Sequence, residues 1–110
     1  MKIYKIRITN DAEDDLFDIY DYIARHDSVE RANYVFDKLE SLIISLDKTP
    51  TRGHAPPELD RIGVKEFKEL HFKPYRVIYQ IIDGIVVVHA CLDGRRDMQT
   101  LLERRLTRLN

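Results

Sequence analysis

The chain has 110 residues, of which 44% are hydrophobic and 34% charged, and its formal net charge is −1. This length supports one hydrophobic core, so we predict a single domain over residues 1–110. All apolar runs are shorter than the roughly 18 residues that indicate a membrane span. The only cysteine, Cys91, cannot form an internal disulfide, and residues 1–8 alternate instead of forming a signal-peptide core. We therefore expect a cytoplasmic protein with no membrane partner.

Charge is distributed unevenly along the chain. Residues 11–30 contain eight acidic residues against one arginine, Arg25, whereas residues 95–110 contain five arginines against two acids. Such polarity can steer an anionic partner toward one side of a protein, although two solvated helix faces give the same pattern. The acidic first segment argues against direct, sequence-specific DNA binding by this chain.

The N-terminal half predicts a strand followed by two helices. Residues 2–8 alternate apolar and basic side chains, as in a half-buried strand. Thr9 or Asn10 is placed to cap a first helix, and Ser28 to cap a second. Pro50 ends the second helix, so the two helices form a hairpin that can cover a sheet. Apolar residues recur at helical spacing in both segments: Ala12, Leu16, Ile19, Tyr20 and Ile23, then Ala32, Val35, Phe36, Leu39, Leu42, Ile43 and Leu46.

The C-terminal half predicts three strands and a short helix. Residues 50–63 contain several prolines and glycines and predict an irregular segment, and residues 67–72 predict a weaker strand. Asp83-Gly84 separates two β-branched runs, which is the strongest short-range signal of a β-hairpin. An amphipathic helix follows over residues 98–109. The order β-α-α-β-β-β-α predicts an α+β fold: a small antiparallel sheet with an N-terminal helical hairpin packed on one face.

A two-residue turn at Asp83-Gly84 would fix which side chains share each face of the hairpin. It places Ile78 opposite His89 and Arg76 opposite Cys91. The second face then carries a polar trio that a purely structural sheet does not require: Arg76, Gln80 and His89. The first face is mostly apolar and should lie on the core: Tyr75, Val77, Tyr79, Ile81, Val86, Val88, Ala90 and Leu92.

These motifs, in this order, resemble the RelE/ParE superfamily of bacterial toxins from type II toxin–antitoxin systems. The resemblance covers almost the whole chain and rests on Thr9, Ala12, Asp15-Leu16, Ile19, Tyr22-Ile23, Leu46, Pro50, Tyr75-Arg76-Val77-Ile78-Tyr79, Asp83-Gly84, Val86-Val87-Val88 and Gly94-Arg95-Arg96-Asp97. It implies a cognate antitoxin protein as partner. It also implies one of two activities: ribosome-dependent cleavage of mRNA, as in RelE-like members, or inhibition of DNA gyrase, as in ParE-like members.

Metal-independent RNA cleavage requires a base, an acid and cations around the phosphate. Arg76 matches the first arginine of RelE-like members, and Arg96, or its neighbour Arg95, matches the second. His89 is the candidate acid or base, because its intrinsic pKa is near neutral. Arg76 has an equally good alternative, which is an ion pair with Glu69 on the neighbouring strand.

Three positions depart from the RelE-like pattern. Phe67 and Glu69 stand where basic residues are expected on the strand before the hairpin, although Lys68 and His71 are nearby substitutes. Leu102 stands where a C-terminal aromatic is expected. This loss of acid–base groups favours a ParE-like toxin that binds DNA gyrase, with the ribosome and mRNA as the alternative target. The candidate target-binding residues are Arg76, Arg95, Arg96, Arg104, Arg105 and Arg108.

We expect no metal and no cofactor. The four histidines, His26, His54, His71 and His89, show no metal-ligand spacing, and the only thiol lies within a strand. The antitoxin could add a strand to an edge of the sheet, either at residues 3–8 or at residues 67–72.

Overall fold

The computed structural model describes residues 2–107, and in that range the chain folds into a four-stranded sheet with helices on both faces. The order of elements is the predicted one, with a 3₁₀ turn (Ser45–Asp47) and a short extra helix inside the irregular segment. The elements are β1 (Lys5–Ile8), α1 (Asn10–His26), α2 (Val29–Ile44), α3 (Pro57–Asp60), β2 (Phe67–Phe72), β3 (Tyr75–Ile82), β4 (Ile85–Asp93) and α4 (Met98–Leu106).

The strand order is β1-β4-β3-β2, and the sheet is mixed. β2, β3 and β4 are antiparallel as predicted, whereas β1 lies parallel to β4. The α+β class is therefore confirmed, but the sheet is not purely antiparallel. Hairpin signals act between neighbouring segments, and no local pattern in residues 5–8 indicates which distant strand will be their partner.

Both long helices begin at the predicted caps. The Thr9 hydroxyl accepts a hydrogen bond from the Ala12 N–H at 3.1 Å, and the Ser28 hydroxyl accepts one from the Arg31 N–H at 3.0 Å. The predicted stripes of α1 and α2 pack on one face of the sheet, against Val77, Tyr79, Val86, Val88 and Cys91. The helical hairpin thus occupies the position expected from its apolar spacing.

The β3–β4 hairpin has the predicted two-residue turn, with φ of 49° at Asp83 and 78° at Gly84. Pairing is regular from Ile82↔Ile85 to Tyr79↔Val88, and then the register shifts. Past this β-bulge, Ile78 pairs with Ala90 and Arg76 pairs with Leu92, so the predicted pairings with His89 and Cys91 are wrong.

The bulge exchanges the faces of the last residues of β4. Cys91 lies in the core under α1 and α2, whereas Ala90 and Leu92 lie on the opposite face. The Asp15 carboxylate of α1 accepts a hydrogen bond from the Cys91 N–H at 2.9 Å, which satisfies a backbone group next to the bulge. This contact joins residues far apart in the chain, and for that reason hairpin periodicity alone could not reveal the shift.

The second face of the sheet is covered by α3 and α4. Its apolar cluster is formed by Leu59, Phe67, Ile78, Ala90, Leu92, Met98 and Leu102. The edges of the sheet are β1 and β2, and the backbone of His54 pairs with Glu69 along part of the β2 edge. No helix within residues 2–107 is both long enough and apolar enough to cross a membrane.

Candidate functional site

Arg76 is held by two carboxylates on the second face of the sheet. Its Nε donates to Glu69 Oε1 at 2.6 Å, and its Nη1 and Nη2 donate to the two carboxylate oxygens of Glu58 at 2.8 and 2.7 Å. All three side chains are largely buried. The Arg76 bond holds the pKa of Glu58 below its usual value, as expected for a charge-assisted pair. The ion pair with Glu69 predicted as the alternative is therefore present, and Glu58 is a second partner.

His89 lies on the same face of the sheet as Arg76, but it bonds to another residue. Its Nε2 is 3.0 Å from Gln80 Oε1, and its ring meets Phe67 edge-on at a centroid distance of 5.4 Å. Burial lowers the pKa of His89, and the nearby positive charge of Arg105 lowers it further. His89 and Gln80 are therefore neighbours, as predicted, and the lowered pKa favours the neutral form of the imidazole.

Arg105 of α4 reaches across the sheet edge to α1. Its Nη1 and Nη2 donate to the Asp15 carboxylate at 2.7 and 3.1 Å, and Nη1 also donates to the His89 carbonyl at 3.2 Å. Asp15 itself is buried. The bond to Asp15 raises the pKa of Arg105. Although the sequence predicts a target-binding arginine here, the guanidinium is used to join α4, α1 and the bulge of β4.

The loop after β4 exposes two arginines. A Cβ atom at Gly94 would lie 2.7 Å from Arg76 Cδ and 3.0 Å from the Pro74 carbonyl oxygen, so the close approach of this loop to β3 requires glycine. Arg95 is exposed and donates to both carboxylate oxygens of Asp93, at 2.9 and 2.6 Å. Arg96 is exposed as well. Glycine thus permits the turn that presents the arginine pair to solvent.

The helix α4 follows the loop that carries Arg95 and Arg96. The Asp97 side chain accepts from the Thr100 N–H at 3.2 Å and caps α4, on which Arg104 is exposed. Arg108 lies outside the described residues. The predicted target-binding arginines therefore divide into buried ion pairs, at Arg76 and Arg105, and exposed groups: Arg95, Arg96 and Arg104.

A cleft of about 320 Å³ opens beside the exposed arginine pair. Arg95, Arg96 and the exposed Tyr22 of α1 are among the residues that line this cleft. Cys91 also lines the cleft, but burial raises the pKa of its thiol to about 12, so it is not a nucleophile at neutral pH. The cleft combines two tyrosines, Tyr22 and Tyr75, with two arginines, and these residue types are enriched at protein interfaces.

A second, apolar groove of about 380 Å³ runs between β1, α1 and α2. Three of the apolar side chains that line it are strongly exposed, namely Ile8, Phe17 and Ile44. The carboxylates of Glu13 and Glu40 also line the groove. It adjoins β1, so an apolar surface and an edge strand of the sheet lie side by side.

A sequence model of a protein family identifies the chain. Residues 6–98 match the model of the ParE toxin of the type II toxin–antitoxin system parDE. The chain belongs to the ParE toxin family. None of the curated protein sequences matches it.

Two solved structures with similar folds come from toxin–antitoxin systems. The chromosomal ParDE system of P. aeruginosa contains a chain that is 16% identical, with a TM-score of 0.68 over 81% of this chain and 94% of that one. The RelBE2 toxin–antitoxin complex of Mycobacterium tuberculosis contains one that is 20% identical, with a TM-score of 0.63 over 84% of this chain and 93% of that one. The ParE-type fold predicted from the sequence is therefore confirmed.

Sequence reasoning missed several residues that shape these surfaces. Glu58 lies in a segment predicted to be irregular, and Asp15 belongs to an acidic helix in which it resembles its neighbours. The signal that could have singled out Asp15 is its position next to Leu16 on the apolar stripe of α1. A cluster of three possible metal ligands was also missed. Glu69 and His71 are two residues apart on β2, and His54 lies 15 residues before Glu69. In the fold, one ligand atom from each lies within 4.8 Å of the others.

Proposed function

We propose that this ParE-family toxin acts by binding DNA gyrase and is neutralised by a cognate antitoxin. The observation that carries the proposal is the double ion pair of Arg76 with Glu58 and Glu69. In a RelE-like nuclease this arginine would face the scissile phosphate. Here all three guanidinium nitrogens donate to two carboxylates, and the negative charge of these carboxylates opposes the binding of a phosphate.

The other groups required for RNA cleavage fit poorly as well. A general acid must carry a proton and reach the leaving oxygen, but His89 is half-buried, bonded to Gln80 and favoured as the neutral form. Leu102, at the position of the expected aromatic, is fully buried in the second core and cannot stack on a base. A toxin that inhibits its target by binding needs a protein-binding surface, and it does not need these catalytic groups.

Arg95, Arg96 and Tyr22 provide a surface of the required kind. Arginine and tyrosine dominate the binding energy of many protein interfaces, because they combine apolar area with directed hydrogen bonds. The exposed guanidinium groups also suit a partner that presents carboxylates. We infer that this cleft contacts the target enzyme.

The apolar groove is a separate surface that fits the antitoxin. The two similar structures are described as parts of a ParDE system and of a RelBE2 toxin–antitoxin complex. An amphipathic helix can place its apolar face on Phe17 and Ile44, while an adjoining strand pairs with β1. β1 is one of the two edge strands, and part of the other edge strand, β2, already pairs with His54.

The target is tested by a gyrase supercoiling assay and a translating-ribosome cleavage assay on the same preparation. We expect inhibition of supercoiling and no mRNA cleavage. Arg95→Glu/Arg96→Glu should lose inhibition, whereas the matched control Arg7→Glu/Lys48→Glu, which makes the same charge change at exposed residues elsewhere, should keep it. Cleavage of mRNA in the ribosomal A site would support the ribonuclease instead. Inactivity in both assays with normal growth on expression would indicate a remnant that only binds antitoxin.

The antitoxin surface is tested by co-purification. A short reading frame that encodes a DNA-binding N-terminus is expected next to the gene, and its product should co-purify with this chain. Phe17→Glu/Ile44→Glu should abolish co-purification, because it places two charges in the apolar groove. Val29→Glu is the control, since Val29 is equally exposed but lies at the first turn of α2, outside the groove. Retention of the antitoxin by the double variant would place the interface elsewhere.

A further inference from the structure

We propose that His54, Glu69 and His71 form a binding site for a divalent transition-metal ion, with zinc as the best fit. Glu69 is 1% exposed, and two imidazoles face its carboxylate. His71 Nε2 lies 3.1 Å from Oε1, and His54 Nε2 lies 3.5 Å from Oε2. The two imidazole rings are neighbours themselves, at a centroid distance of 5.2 Å.

These separations suit one shared ion. Ligand atoms that lie about 2.1 Å from a tetrahedral zinc ion lie roughly 3.4 Å from one another. Both imidazole–carboxylate separations are close to that value, and all three ligand atoms lie within 4.8 Å of one another. Two imidazoles and a carboxylate leave a fourth position for water or another ligand. This mixed nitrogen and oxygen set favours zinc, copper or nickel over magnesium or calcium.

Backbone hydrogen bonds hold the loop of His54 next to β2, so His54 lies close to Glu69. The His54 N–H donates to the Glu69 carbonyl at 3.2 Å, and the Glu69 N–H donates to the His54 carbonyl at 2.7 Å. The preceding Gly53 N–H donates to the Tyr79 hydroxyl, which donates to the Pro50 carbonyl. A Cβ atom at Gly53 would lie 2.5 Å from that hydroxyl and 2.7 Å from the Glu69 carbonyl oxygen. The loop that carries His54 is therefore held tightly against β2 before any ion binds.

Charge at the site favours a cation. Glu58 and Glu69 together carry two negative charges, and Arg76 compensates one of them. Arg76 Nε donates to Glu69 Oε1 and so orients the carboxylate, as outer partners of metal ligands do. His54 and His71 are partly exposed, with 61% and 39% of their side chains accessible, which leaves a path for the ion from solvent.

Titration of zinc chloride into the untagged full chain, followed by calorimetry, tests the site without antitoxin or gyrase. We expect one ion per chain. His54→Ala and His71→Ala should each weaken zinc binding by at least about tenfold, because even the loss of an outer partner of a ligand has that effect. His26→Ala is the matched control: His26 is an exposed histidine on α1 that bonds to and stacks on Tyr22, and its loss should leave zinc affinity unchanged.

Cobalt provides a second readout that a purely structural role would not change. Co²⁺ bound by these three residues should give the visible absorption of a low-coordinate site, which should disappear in His54→Ala/His71→Ala and persist in His26→Ala. Circular dichroism confirms that the variants are folded, as expected for exposed positions. The proposal is overturned if zinc fails to bind stoichiometrically, or if all three histidine variants bind it with the same affinity as the unmodified chain. The zinc and cobalt titrations do not measure toxin activity, so their outcome is independent of the gyrase assays.

Discussion

Two arginines in the folded elements, Arg76 of β3 and Arg105 of α4, differ from the arginines in the loop after β4 in what surrounds them. Arg76 and Arg105 are largely buried, and each guanidinium donates to carboxylates from other elements. Arg95 and Arg96 are exposed, and the carboxylate that binds Arg95 is its near neighbour Asp93. The comparison shows that the same side chain can hold the fold or face a partner. Burial and the origin of its carboxylates decide between these roles.

The two regions meet at Gly94. This residue lies against the aliphatic part of Arg76, and its N–H donates to the Pro74 carbonyl at 2.7 Å. The buried ion pair thus supports the loop that exposes Arg95 and Arg96. Substitutions that remove buried arginines should lower stability, whereas substitutions in the loop should change target binding with little effect on stability.

The largest effect is expected for Arg76→Ala. It leaves the carboxylates of Glu58 and Glu69 in a buried environment without their cation, and breaking a buried pair in this way costs about 3–5 kcal/mol. Urea denaturation measures the loss of the free energy of unfolding. Arg96→Ala is the exposed control and should change stability by no more than about 0.5 kcal/mol. Equal losses for both variants would remove the distinction between the two regions.

Arg105→Ala should have a smaller but clear effect. The substitution removes hydrogen bonds to the Asp15 carboxylate and to the His89 carbonyl, but Asp15 still accepts from the Cys91 N–H. Hydrogen bonds to a charged group contribute about 1.5–3 kcal/mol, and we expect a destabilisation in that range. Thermal unfolding followed by circular dichroism provides the measurement, with the exposed Arg104→Ala as control. A loss equal to that of the control would show that this pair contributes nothing.

Gly94→Ala tests the contact between the two regions. Its Cβ would press on Arg76 Cδ and the Pro74 carbonyl, and such overpacking costs about 1–3 kcal/mol. In an Arg76→Ala background part of this crowding disappears, so the second substitution should cost less there. A double-mutant cycle from denaturation data measures the coupling. If the two changes in the free energy of unfolding were strictly additive, Gly94 and Arg76 would not be energetically coupled.

The smallest effect concerns pH. Because burial holds the pKa of folded His89 below its ordinary value of 6.5, the unfolded chain binds more protons as pH falls through that value, and stability decreases. His89→Gln should therefore lose less stability between pH 7.5 and 5.5 than the unmodified chain. If His89→Gln kept the full slope, another group would be responsible.

Local pattern was sufficient for much of the fold. Helix caps at Thr9 and Ser28 and the turn at Asp83-Gly84 were predicted correctly, because each depends on hydrogen bonds or backbone angles within a few residues. The apolar spacing of the first two helices correctly placed them on one face of the sheet. The order of motifs was also sufficient to identify the ParE-type fold.

The tertiary structure decided the rest. The parallel pairing of β1 with β4, the bulge beside His89 and the role of each arginine depend on partners distant in the chain, such as Asp15 and Glu58. A sequence shows which residue can carry a charge, but the cost of burying that charge depends on the carboxylates brought near it in space. For this reason the sequence by itself determined most of the elements and the family, whereas only the folded chain separated the arginines that stabilise it from those that remain exposed.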